Sequence, residues 1–190
     1  MTAYAALLFA VNVGGRSVPS TALRALSAEL GFAGNRTVVN SGNLVVAAGA
    51  SGAATADDVA RLVRAGVADR FGVDAAVAVL TTARLAEVLA ANPFPDASRE
   101  TPSRVQVLVG ERDVDADGVA RLATEHPGPE EVAAARGVLW VHYPDGIGRS
   151  RLTTPVLARA AGTSVTGRNV NTVTRLLATA YEVEAAGETP

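Results

Sequence analysis

"TVVNSGNLVVA", residues 37–47, sets two apolar runs, Thr37 to Val39 and Leu44 to Ala47, on either side of Asn40-Ser41-Gly42-Asn43. Residues of that quartet tolerate positive φ, so the stretch predicts an antiparallel hairpin. Upstream, Tyr4 to Ala10 is an almost wholly apolar run bounded by Asn12 and Gly14, as expected of a strand covered on both faces or central in a sheet. Pro19 and Ser20 then open a helix with Leu23, Leu26 and Leu30 on one face, and Gly31 offers its left-handed stop. Downstream, Thr55 with Asp58 makes a capping box for a helix carrying Val59, Leu62, Val63, Val67 and Phe71, ended by Gly72. Val73, Ala75, Val77 and Val79 then alternate with their neighbours as a half-buried strand does.

The first eighty residues therefore read βαββαβ, the split-βαβ or ferredoxin-like order. A connecting helix, Thr82 to Ala91, stops at Asn92-Pro93, and a loop is expected through Pro102. Val105, Val107 and Val109 alternate; Asp115 caps a helix with Val119 and Leu122 inward; the Pro127-Gly128-Pro129 loop ends it. Glu131 to Ala135 and Val138 to Tyr143 meet at Arg136-Gly137 as a second hairpin. Strand, helix and hairpin thus recur, after which helices from about Thr154 to Ala161 and about Asn171 to Tyr181 are expected to close the chain. The predicted fold is α+β, with two ferredoxin-like lobes (βαββαβ-type), antiparallel sheets and a C-terminal helix. Residues 1–95 form the N-terminal lobe with its connecting helix, and residues 96–190 the C-terminal lobe.

A chain of 190 residues with 48% hydrophobic and 19% charged residues can bury a core. It has no cysteine, which removes disulfides, thiolate nucleophiles and cysteine-ligated zinc. All of its 17 basic residues are arginine, so Schiff-base chemistry and the P-loop lysine are unavailable. No apolar run is long enough to span a membrane, and Met1 to Val13 lacks the charged start and cleavage site of a signal peptide. The expectation is a soluble cytoplasmic protein with no membrane partner.

Two loops attract attention as binding elements. Backbone N–H groups around Asn12, Gly14, Gly15 and Arg16 could form a nest for an anion at the start of the first helix, or simply turn the chain. No GxGxxG or GxxxxGK[ST] pattern supports a dinucleotide or P-loop site. Asp145 to Arg151 is the better lead: Gly146 and Gly148 let backbone approach a ligand, while Arg149 and Arg151, flanking Ser150, offer planar forks matched to phosphate or carboxylate. A glycine turn with solvated arginines is the alternative. Arg168 and Asn169 are a third candidate, with Arg168 facing the same anion; helix capping is the competing explanation. Ser41 and Asn43 in the first hairpin complete the proposed ligand-binding set.

Charge is distributed unevenly. From Arg136 to Arg175 six arginines stand against one acid, Asp145, whereas Arg99 to Glu131 holds four arginines and eight acids. Such asymmetry steers anionic partners to one end, although a solvated surface also shows it. His142, read on the solvated face of its strand, and Asp145 are the acid-base candidates; His126, beside the proline loop, is weaker. Two separated histidines without cysteine argue against a transition-metal site, and Trp140 reads as a core anchor. No catalytic residue, cofactor or metal is assigned.

Five segments, "LLFAVNVGG", "NSGNLVV", "NPFP", "YPDGIGRSRLT" and "RNVNTVTRL", in this order and spanning nearly the whole chain, resemble the bacterial family known as domain-of-unknown-function family 1697. The resemblance implies an α+β fold with two ferredoxin-like lobes and brings no established reaction. Phe9 and Ala10 stand where that family usually has arginine and glycine, Asn40 where it has glutamine, and Val170 where it has tryptophan. If the family's arginine holds an anion, this chain lacks that contact.

The expected function is binding of an anionic small molecule, phosphate- or carboxylate-bearing, in a cleft between the lobes, with Arg149 and Arg151 as clamps and the Asn12 loop as the facing wall. Alternatives are a small enzyme acting on a phosphorylated or carboxylated metabolite, and a scaffold that dimerises through a sheet as a homo-oligomer. Nucleic acid is a weaker partner, since aromatic residues total only 4% and base stacking would be sparse.

Overall fold

A computed structural model of the protein describes residues 1–11, 17–39 and 42–187. The chain is α+β, with two four-stranded antiparallel sheets and a long C-terminal helix. It divides into two compact units, Met1–Ala86 with Thr174–Pro190, and Glu87–Val173.

In the first unit, β1 (Ala3–Leu8), α1 (Ser20–Glu29), β2 (Ala33–Thr37), β3 (Asn43–Ala47), α2 (Ala56–Phe71) and β4 (Val77–Thr81) form a sheet of order β2-β3-β1-β4. All six residues of β1 are buried, as its unbroken apolar run predicts. Alternation divides them between two faces. Tyr4, Ala6 and Leu8 join Leu23 and Leu26 of α1 and Val59, Val63 and Val67 of α2 in one core. The Thr55 hydroxyl accepts from Asp58 N at 3.1 Å and the Asp58 carboxylate accepts from Thr55 N at 3.2 Å, so the expected capping box fixes the start of α2.

The last helix, α7 (Val170–Ala186), ends in this unit. Its Glu184 accepts from Ala3 N at 2.9 Å and from the Thr82 hydroxyl at 2.8 Å, tying the tail to β1 and to the start of α3 (Thr82–Ala90). These bonds join positions about a hundred or more apart in sequence.

The second unit repeats the arrangement. Here β5 (Val105–Gly110), α5 (Ala116–Glu125), β6 (Glu131–Ala135), β7 (Val138–His142), α6 (Thr154–Ala161) and β8 (Val165–Asn169) give the order β6-β7-β5-β8. Leu108, Leu139, Val141 and Tyr143 pack with Val119, Leu157 and Ala161. The Asp115 carboxylate caps α5 by accepting from Asp117 N at 3.0 Å.

Several expectations need correction. The expected order lacks β8: Val165–Asn169 pairs along β5 from Gly110↔Val165 to Gln106↔Asn169, so a strand precedes the last helix. The expected loop after Pro93 contains helix α4 (Pro95–Glu100) and a 3₁₀ turn at Pro102–Arg104, because proline in a first helical turn is compatible with helix. β2 lies earlier than Thr37–Val39, since Thr37↔Leu44 is the last pair before the turn and Val39 adopts φ +58°. Likewise β4 begins at Val77 rather than Val73.

Candidate functional site

His126 ends α5, its N–H bonded to the Leu122 carbonyl at 2.9 Å. Pro127 and Pro129 cannot donate to a continuing helix, and the loop they make returns Glu130 to the histidine it just left. His126 Nε2 and the Glu130 carboxylate stand 2.6 Å apart, with their side chains only 9% and 8% exposed. Gly128 lies beneath this pair. A β-carbon there would sit 2.2 Å from Glu130 Oε2 and 2.4 Å from His126 Nε2, so a side chain at position 128 opposes closure.

The second wall comes from the turn after β7. Tyr143 N bonds the Arg104 carbonyl and Gly146 N the Tyr143 carbonyl, both at 2.9 Å, and a 3₁₀ turn at Ile147–Arg149 leads into Ser150. The Ser150 hydroxyl accepts from Leu152 N at 3.0 Å and bonds the Glu130 carboxylate, so the two walls meet at Ser150 and Glu130. Between them lies a cavity of about 430 Å³ lined by residues 126–130 with Arg149 and Arg151, all within the second unit.

The electrostatics follow. Ser150, and then His126, hold the Glu130 carboxyl below its ordinary value of 4.5, so it is ionised at neutral pH with its charge directed at those partners. Burial, and then the Glu130 charge, push Tyr143 up to about 12. Arg149 and Arg151 are exposed, and among the described residues neither guanidinium pairs with a carboxylate. The lining thus carries two cations and one occupied anion.

Because the Glu130 carboxyl is lowered in the folded chain, its contribution to stability is fully present above pH about 4.5 and is lost as pH falls through the folded value. Glu130→Gln is expected to lower unfolding free energy by about 1–3 kcal/mol at pH 7, because the buried histidine loses its charged partner. The difference from the parent should shrink by pH 4. Urea unfolding at the two pH values measures both, and a difference that does not change with pH would contradict an ionised Glu130 carboxylate held by these bonds.

Of the residues singled out in the sequence, Gly146, Gly148, Arg149, Ser150 and Arg151 share one turn, and Arg149, Ser150 and Arg151 meet at the cavity or its wall. Arg168 is not in the lining. It is 9% exposed in β8 and donates to the Thr166 hydroxyl and the Gly167 carbonyl, each at 2.8 Å; burial lowers it to about 10, still cationic at neutral pH. The Asn169 side chain accepts from Thr172 N at 2.9 Å, the capping role that competed with ligand contact. Asn43 is buried in β3, where its amide donates to the Val38 carbonyl at 2.8 Å. Asn12, Gly14, Gly15, Arg16 and Ser41 lie outside the described residues.

His142 is not open on a solvated face: its Nδ1 is 2.7 Å from the Glu131 carboxylate and its ring lies 6.1 Å from that of Phe94. Asp145 is exposed and outside the lining. Sequence reading undervalued His126 and missed Glu130; a histidine and a carboxylate four residues apart across Pro-Gly-Pro was the available signal. Among the described residues, no three His, Asp or Glu side chains cluster to hold a metal ion, and no helix is long and apolar enough to cross a membrane.

Compared with protein-family models, residues 1–140 match the one described as "Protein of unknown function (DUF1697)". That span includes the His126–Glu130 loop and stops short of Arg149 and Arg151. Among solved structures the chain is similar to conserved bacterial protein SP0830 from Streptococcus pneumoniae, at 19% identity and a TM-score of 0.70, covering 95% of this chain and 99% of that one. At that identity the likeness is one of fold. No curated protein matches.

Proposed function

The chain belongs to the family of proteins of unknown function DUF1697, and from that premise we propose that its second unit binds an anionic ligand bearing phosphate or carboxylate. One observation carries the reading: Arg149 and Arg151 line one cavity in which, among the described residues, Glu130 is the only carboxylate, and it is already bonded by Ser150 and His126. Guanidinium forks without a protein counter-ion suit planar, bidentate capture of an oxyanion. The Ser150–Glu130–His126 bonds hold the two loops at a fixed separation, so the arginines meet a ligand on a preorganised frame. The proposal includes reading each unit as a ferredoxin-like lobe, a topology supported by the repeated β-α-β-β-α-β order and by the strand orders β2-β3-β1-β4 and β6-β7-β5-β8.

Titration of the ¹⁵N-labelled chain with pyrophosphate tests the reading. Saturable amide shifts are expected in residues 126–130 and 146–152. Affinity should weaken severalfold as salt rises from about 50 to 200 mM, because contacts between exposed charges are screened. Shifts confined to other segments, or an affinity indifferent to salt, would remove the assignment.

A further inference from the structure

His126 lines the same cavity as Arg149 and Arg151, and its pairing with Glu130 uses only half of the imidazole. Nε2 stands 2.6 Å from the Glu130 carboxylate, which Ser150 and His126 hold in its ionised form. An ionised carboxylate only accepts, so Nε2 carries the hydrogen of this bond. In the neutral ring Nδ1 is then a bare lone pair. Nδ1 makes no hydrogen bond among the described residues, yet it is not sealed from water as Trp140 Nε1 is. A second proton on the ring changes what it offers: Nε2 keeps its bond to Glu130, and Nδ1 turns from an acceptor, which repels an oxyanion, into a charged donor, which binds one.

The surrounding charges leave this change to the ring. Glu130, Arg149 and Arg151 share its cavity. Tyr143, at the end of β7, is pushed up to about 12 and stays neutral. On α5, Asp117, Arg121 and Glu125 line a separate groove, and Glu131 of β6 bonds His142. The one charged residue of α6, Arg159, is exposed. Between about pH 6 and 8 an imidazole changes charge, whereas ionised carboxylates and guanidiniums do not.

We propose that Nδ1 opens into this cavity and that His126 is its third anion-binding group, so that each oxyanion held by Arg149 and Arg151 draws one proton onto the ring. Binding and protonation are thereby linked: the anion favours the imidazolium, and the imidazolium favours the anion. Affinity rises as pH falls through the range in which the ring takes up its proton. The inference rests on the anion-binding reading of this cavity and adds to it a residue and a proton.

The test uses the full chain and sulfate, which remains a dianion throughout, so that any pH dependence belongs to the protein. At constant ionic strength, sulfate should bind about tenfold more tightly near pH 6 than near pH 8, read from amide shifts in residues 126–130 and 146–152. The chain has two histidines, and their ring-proton signals supply an internal control. Saturating sulfate should raise the titration midpoint of His126 by about one pH unit and leave that of His142 in place, since His142 lies outside the lining with its Nδ1 on Glu131. His126→Gln should lower affinity near pH 6 to the parent's value near pH 8; should that variant not fold, the two ring titrations of the parent still decide. Sulfate that binds equally at both pH values, or a midpoint that moves for neither histidine or alike for both, overturns the proposal while leaving the arginine clamps standing. No response in residues 146–152 at either pH removes the clamps and the proposal together.

Discussion

Replacing Arg149 and Arg151 together by alanine is expected to weaken pyrophosphate binding about a hundredfold while shifting unfolding free energy by no more than about 0.5 kcal/mol. A charge-assisted hydrogen bond contributes about 1.5–3 kcal/mol, and partial exposure to water brings each arginine toward the lower end, about tenfold apiece. The effects multiply only if each guanidinium contacts the ligand separately; a shared oxygen would make the double variant less severe than the product of the singles. Stability should hold because both side chains are exposed and neither carries a carboxylate partner among the described residues. Calorimetric titration of the two single variants and the double, with urea unfolding alongside, separates lost ligand contacts from a loosened fold. A double variant that binds like the parent would mean the arginines only border the cavity.

Ser150→Ala differs in kind from these changes. It leaves both charges in place but removes the hydroxyl that joins the 146–152 turn to Glu130. Weaker binding in that variant would therefore trace to the frame rather than to the clamps.

The parts of the fold that were legible in the sequence are those fixed by neighbours in the chain. The Thr55–Asp58 capping box, the left-handed Gly72 after α2, the Asp115 cap and the Arg136-Gly137 turn are local, and residue type alone selects them. β8 was illegible for the opposite reason. "VTGRN" is short, has glycine at its centre and shows no apolar alternation; what makes it a strand is pairing with β5, more than fifty positions away. The same division runs through the site. Arg149, Ser150 and Arg151 advertise themselves by composition, whereas the value of Glu130 depends on a loop that folds its carboxylate onto His126 and on the distant Ser150 hydroxyl. Arg168 shows the converse: its charge suggested a ligand contact, but its place in β8 makes it a buried structural donor.

The largest loss of stability is expected from Trp140→Ala. Trp140 lies on β7 directly between Ala133 of β6 and Val107 of β5, with Arg168 of β8 opposite Val107, so one cross-strand row runs through all four strands of the second sheet. It is fully buried, and truncation should cost about 3–5 kcal/mol, the sum of lost burial and the cavity left between strands that pair on both sides. At about 2–4 °C per kcal/mol for a chain of this size, the melting temperature should fall by roughly 6–20 °C. Trp140→Phe is the instructive companion. The indole Nε1 is buried and has no hydrogen-bond partner among the described residues, so phenylalanine gives up volume but also relieves an orphaned donor. Its cost should therefore stay near about 1 kcal/mol. Circular dichroism during urea unfolding measures both variants, since the chain's single tryptophan is the residue removed. If phenylalanine proves as costly as alanine, Nε1 must be satisfied in solution by a bound water or ligand. The destabilisation should also reach the ligand site through the backbone, because β7 runs directly into the Tyr143–Arg151 turn that carries both clamping arginines. Pyrophosphate should accordingly raise the melting temperature of the alanine variant, since ligand that binds only the folded chain stabilises by mass action.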